Sequence, residues 1–162
     1  MINNNGISVG IGDFKVCRVP ETLVTYALGS CVGICLLDST AGVAGLSHIM
    51  LPDSTAGSSG ATSPMKFADS ALPMMIKQME MMGASRARMK AKIAGGATMF
   101  LVANDKFNIG ERNVAAVKRV LMENRIPIIA EDTGLNYGRT QMFYTDTGVM
   151  EIRSATKGVR TF

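Results

Sequence analysis

Residues 29–33, Gly29-Ser30-Cys31-Val32-Gly33, place a thiol at the centre of a small, turn-prone pentapeptide. Glycine on both sides permits a sharp turn with unusual φ values and lets a substrate backbone approach the sulfur closely. The layout is that of a nucleophile elbow, in which a tight turn exposes the reactive atom, although the apolar VGICLL that follows reads as strand and not helix. A free thiol is mostly protonated at neutral pH and needs a base to attack. The chain holds one histidine, His48, seventeen residues downstream, so a thiol–imidazole pair must use it as general base and acid. Thr25 lies six residues before the cysteine, where its hydroxyl could accept the imidazole N–H and orient the ring. Plainer readings stand beside each assignment: a small-residue turn, a strand-end histidine bonded to backbone, and a threonine chosen for β propensity.

These groups meet only if the chain between them forms a hairpin. Segments 7–11, 22–28, 32–37 and 43–50 are short and rich in Val, Ile, Leu and Thr, and turn residues punctuate them. Asp38-Ser39-Thr40-Ala41-Gly42 reads as the connection between the third and fourth. Pairing residue 37 with 43 sets 32 against 48 and leaves Cys31 one step away. The stretch DSTAGSSGATSP has almost nothing to bury, so 53–63 is expected to be a flexible loop.

Residues 64–83 switch to helical spacing, with Met65, Ala68, Leu72, Met75, Met79 and Met82 as a core stripe and Gly83 at the C-terminal cap. Pro73 predicts a kink or break. A second helix is predicted over 109–124, buried through Val114, Val117, Val120 and Leu121. Strands follow at 126–131, 140–145 and 149–153, the last two joined by Asp146-Thr147-Gly148. Residues 154–162 read as a C-terminal tail. The sum is one α+β domain spanning 1–162, with no internal repeat and no linker.

Bulk properties narrow the classes. The chain has 162 residues, 47% of them hydrophobic and 19% charged, which describes a globular protein and not a disordered one. The start MINNNGISVG lacks the basic and apolar regions of a signal peptide, and no run is long enough to span a membrane. A formal charge of +4 is modest and is no nucleic-acid signature. The alternating basic residues Arg86, Arg88, Lys90 and Lys92 read as a solvated sheet face, with steering towards an acidic partner as the sharper alternative. Three cysteines without secretory signals favour a reducing, cytoplasmic setting. Four residues of strand span about 13 Å, so Cys31 and Cys35 fit neither one zinc site nor a disulfide. Cys17 and Cys35, inside apolar runs, read as buried hydrophobes. No metal or cofactor is expected.

The blocks TLVTYALGSCVGICLLD, AGLSHIMLP, KIAGGATMF, IGERN and EDTGLNYGRT occur here in the order seen in the chemoreceptor glutamine deamidases, the CheD family, which the chain resembles over about residues 7 to 155. The resemblance implies a cytoplasmic enzyme that hydrolyses selected glutamine side chains of methyl-accepting chemotaxis receptors to glutamate. It implies packed mixed β-sheets flanked by helices, similar to bacterial toxin-type cysteine deamidases, and a CheC-type phosphatase as regulatory partner. The family's catalytic cysteine, histidine and threonine fall on Cys31, His48 and Thr25. One departure is Leu135, which follows Asp132-Thr133-Gly134 where many members carry a second glycine. Two rival functions remain on the sequence: hydrolysis of glutamyl methyl esters by the same thiol, and a non-catalytic binding module for receptors and the phosphatase. Neither nucleic acid nor direct membrane insertion is expected.

Overall fold

Two neighbouring strands, β4 (Val32–Asp38) and β5 (Val43–Ile49), are buried along almost their entire length, as a near-continuous apolar run requires when both faces of a sheet are covered. The computed structural model describes residues 6–54, 63–99 and 108–162. The other strands are β1 (Ile7–Ser8), β2 (Asp13–Arg18), β3 (Thr22–Leu28), β6 (Lys90–Gly95), β7 (Ile128–Thr133), β8 (Arg139–Tyr144), β9 (Val149–Ser154) and β10 (Gly158–Thr161). Helix α1 covers Ala68–Met81 and α2 covers Ile109–Glu123. Among the described residues the strands form two five-stranded mixed sheets, ordered β2-β5-β4-β6-β7 and β1-β3-β8-β9-β10. The parallel pairs are β6 with β7 and β1 with β3.

Alternation along the strands builds three layers. Val32, Ile34 and Leu36 of β4, with Val43 and Ile49 of β5, turn towards the helices and meet Leu72, Met75, Ile76 and Met79 of α1 and Val117, Val120 and Leu121 of α2. Cys35, Ala44 and Leu46, from the same two strands, turn the other way. They pack on Leu23 and Leu28 of β3, Phe143 of β8, and Met150 and Ile152 of β9. One sheet is therefore covered by helices on one side and by the second sheet on the other, an α+β arrangement as expected.

Several boundaries differ from the sequence reading. Pro73 sits exposed in the second turn of α1, and the helix continues through it to Met81. A proline there removes one ladder bond while the buried stripe still drives packing. Residues 64–66 form a separate 3-10 turn ahead of α1. β2 escapes prediction because Lys15 and Arg18 interrupt its short apolar alternation at a sheet edge. Residues 158–161, read as tail, pair with β9 as an exposed edge strand, and Arg160 Nη2 reaches Asp132 Oδ1 at 2.8 Å. The basic set does not share one strand: Arg86–Arg88 is a 3-10 turn, while Lys90 and Lys92 lie on β6. Arg86 pairs with Glu80 and Arg88 with the buried Asp38. Burial alone would raise the Asp38 pKa, but hydrogen bonds from Arg88 and from the Ser85 and Ala41 N–H groups hold it below the usual carboxylate value. Most of the expected loop 53–63 lies outside the described residues. No helix among those described is long and apolar enough to cross a membrane.

Candidate active site

The hairpin pairs Asp38 with Val43, Gly33 with His48 and Val32 with Ile49. This corrects the sequence reading, which set 32 against 48, by one residue. Asp38 is itself a strand residue, and its carboxylate accepts the Ala41 N–H at 3.1 Å across the turn. The correction matters because a one-residue slip exchanges the faces of a strand. In the observed register Gly33 and His48 are direct neighbours on the face towards the second sheet. Cys31, two residues before Gly33, packs against that same inter-sheet core. Thiol and imidazole thus share a face, with Cys31 half-buried at the rim and His48 fully buried within.

Thr25 reaches the ring from β3 of the opposite sheet. Its Oγ1 lies 2.7 Å from His48 Nδ1 and 2.7 Å from the Val9 carbonyl oxygen. A hydroxyl carries one proton and a carbonyl can only accept, so Thr25 donates to Val9 and accepts from Nδ1–H. The proton is thereby assigned to Nδ1, and Nε2 keeps a free lone pair. Nε2 has no hydrogen-bond partner among the described residues. Burial pushes the imidazole pKa down to about 4, so the ring is neutral at pH 7. Burial also raises the Cys31 thiol, against the opposing pull of its own backbone N–H. At rest the two groups are a neutral thiol and a neutral, oriented imidazole.

The turn carrying Cys31 is held by its carbonyls. Gly29 O accepts from Ala97 N at 2.8 Å, Cys31 O from Gly96 N at 2.8 Å, and Ser30 O from the Asn113 side chain at 2.9 Å. Gly95, at φ 106°, comes so close that a Cβ there would strike Cys31 O. The first glycine of KIAGGATMF is explained by this approach, and the second, Gly96 at φ 67°, by Val114 and the Gly110 carbonyl, which a Cβ there would strike. Upstream, β3 breaks register between Thr25 and Leu28, and Ala27 takes a φ of 60°. This bulge turns Tyr26 outwards and delivers the chain into the turn that carries Cys31.

Sequence reading missed a polar neighbour, Gln141 of β8, which pairs with Thr25 across the sheet. Its amide nitrogen lies 3.2 Å from Gly33 O and 3.3 Å from Cys35 Sγ, and its buried Oε1 is unpartnered among the described residues. Any side chain on Gly33 would collide with that oxygen, so Gly33 opens the space that the carboxamide fills beside His48. An isolated glutamine in a strand pattern gives no hint of this. Cys17 and Cys35 are both buried in the inter-sheet core; burial raises the Cys17 pKa to about 11 and raises that of Cys35 as well. Leu135, at φ 60° and exposed, adopts the backbone conformation that a glycine would take there.

Comparison with known proteins follows the same direction. A family model described as CheD chemotactic sensory transduction matches residues 50–154, beginning just past His48. A probable chemoreceptor glutamine deamidase CheD of Clostridium novyi is 50% identical over 161 residues, covering 98% of this chain and 99% of the relative. Proteins of the same name from Clostridium kluyveri and Clostridium acetobutylicum are 47% and 49% identical over 95% and 98% of this chain. Among solved structures, a Neisseria meningitidis protein of the DUF152 family superposes with a TM-score of 0.51 over 80% of this chain and 64% of its own, at 10% identity, a likeness of fold alone.

Proposed function

Since the chain belongs to the CheD family, we propose that it is a single catalytic domain, a cytoplasmic protein-glutamine glutaminase that deamidates glutamine side chains on chemotaxis receptors. Cys31 is the nucleophile, His48 the general base and acid, and Thr25 the group that orients His48. As the sulfur attacks the carboxamide carbon, Nε2 takes the thiol proton; the C–N bond then breaks and the same proton leaves with ammonia. The thioester is hydrolysed by water that His48 deprotonates, and glutamate and free thiol are regenerated. Backbone N–H groups of the nucleophile turn, that of Cys31 among them, hold the oxyanion.

The observation that carries this reading is the Thr25–His48 hydrogen bond, which leaves a buried, unpartnered, unprotonated Nε2 on the face that Cys31 shares. The chemistry alone would also cleave a glutamyl methyl ester; the relatives' names favour the amide. A CheC-type phosphatase is part of the same proposal, as a regulator that competes with receptors for the enzyme. Incubating a receptor cytoplasmic fragment with the protein and weighing it intact tests the activity. Each modified site should change mass as NH2 is replaced by OH, with ammonia released in equal amount. Methanol release from a methylated fragment without any ammonia from an amidated one would overturn the deamidase reading. Phosphatase-dependent loss of activity at fixed receptor concentration checks the regulator.

A further inference from the structure

Asn113, the last residue of the IGERN block, is a fully buried polar side chain on α2. Its Nδ2 lies 2.9 Å from Ser30 O and 3.0 Å from Met50 O. Both partners are carbonyls, which only accept, so the atom facing them is the nitrogen and the amide orientation is settled. Ser30 directly precedes the cysteine, and Met50 follows His48 by two residues. One carboxamide therefore ties the nucleophile turn to the end of the histidine strand, from the helix side of the sheet.

The Ser30 carbonyl belongs to the same peptide unit as the Cys31 N–H. That unit is trans and planar, so its carbonyl and its N–H point in opposite directions. With the carbonyl drawn towards α2, the N–H is aimed away from the helices, towards the face on which Cys31 and His48 sit. No backbone carbonyl among the described residues accepts this N–H. The N–H also lies beside its own sulfur, where it opposes the burial-driven rise of the thiol pKa. A hydrogen bond accepted by the carbonyl also polarises the peptide and strengthens its N–H as a donor.

We propose that Asn113 is a positioning residue for deamidation: by gripping the Ser30 carbonyl it aims and strengthens the Cys31 N–H that receives the developing oxyanion. The inference rests on Cys31 being the nucleophile, and its test separates the two. Asn113→Ala, checked for folding by thermal melting, is assayed on a receptor cytoplasmic fragment and, in parallel, by iodoacetamide alkylation of Cys31. Alkylation needs an ionised thiol but forms no oxyanion. The expected result is a fall in kcat of about tenfold to a hundredfold with KM within about twofold of the unaltered enzyme, and a fall in the pH-dependent alkylation rate much smaller than that in kcat, since the same N–H also stabilises the thiolate. An unchanged kcat, or a loss of alkylation in proportion to the loss of turnover, would overturn the role.

Should Asn113→Ala not fold, Asn113→Ser, with a shorter single donor, carries the same comparison. In the unaltered enzyme, the Cys31 amide proton should also move downfield when a peptide bearing a glutamate semialdehyde adds to the thiol. No movement on formation of that adduct overturns the proposal. Full activity in Cys31→Ala would instead remove the nucleophile assignment beneath it, a different failure with a different signature.

Discussion

Strands β4 and β5 present two faces that obey opposite rules. Towards the helices they carry Val32, Ile34, Leu36, Val43 and Ile49, with Gly45 accommodating Met75. Towards the other sheet the same strands carry Gly33, Cys35 and His48, with Cys31 in the turn just ahead of β4, and meet Thr25 and Gln141. On the helix side, burial of apolar surface supplies stability at roughly 25 cal/mol per Å². Unpartnered buried atoms occur on both sides among the described residues, Nε2 of His48 and Oε1 of Gln141 between the sheets and Ser47 Oγ and Asn113 Oδ1 towards the helices, each a cost to folding. The difference teaches that a mostly aliphatic face holds the sheet rigid, while the other face brings a thiol, an imidazole, a hydroxyl and a carboxamide together, the groups that a reaction would use. Because successive residues alternate between the faces, the rigid side positions the reactive one with little slack.

Substitutions on opposite faces should therefore separate activity from stability. The largest effect is expected for Cys31→Ala, which should lower turnover by about 10⁴-fold or more while leaving the melting temperature nearly unchanged. Residual activity within tenfold of normal would end the comparison at its chemical side. Ile34→Ala, three residues away and facing the helices, should do the reverse: a loss of about 3 kcal/mol in denaturant unfolding with turnover per folded molecule preserved. Equal damage to both quantities would mean that the faces are not separable.

The buried histidine joins the two properties through pH. Its pKa is about 4 in the folded protein and about 6.5 unfolded, so between those values the unfolded chain binds a proton that the native state refuses. Stability should then fall as pH drops from about 6.5 towards 4, by roughly 3 kcal/mol when the window is crossed. His48→Gln should flatten that slope. On the same grounds, the acid limb of kcat/KM should lie well below pH 6.5, and a limb near 6.5 would show that the ring is not the desolvated base described.

Smaller effects sharpen the inter-sheet side. Thr25→Val keeps the shape but removes the acceptor that fixes Nδ1–H, and kcat should drop by about tenfold to a hundredfold with little change in KM. A rise in KM alone would give Thr25 a substrate-binding part instead. Gly33→Ala forces the Gln141 carboxamide aside, so a modest loss of both stability and turnover is expected, and pairing it with Gln141→Ala should restore part of the stability. No recovery in the double variant would mean that the collision is not the cause.

Local chemistry in the chain was enough to mark the glycine-flanked Cys31, to single out His48 as the sole imidazole, and to place both around one hairpin. It also foretold α1, α2 and strands β7 to β9 within a few residues, because apolar periodicity expresses short-range geometry directly, while the exposed β10 read as tail. The family blocks were equally legible as text. Yet the hairpin register, which decides whether thiol and ring share a face, depended on the Asp38 carboxylate reaching across its turn to Ala41 N. Which nitrogen of His48 is free depended on Val9 and Thr25, brought together by the pairing of β1 with β3 in a sheet that His48 does not belong to. Asn113 and Gln141 lie 83 and 108 residues from the backbone carbonyls they grip, Ser30 O and Gly33 O. Spacing rules reach only a few residues along the chain, whereas hydrogen bonds between layers are set by packing of the whole fold; tertiary structure alone could decide them.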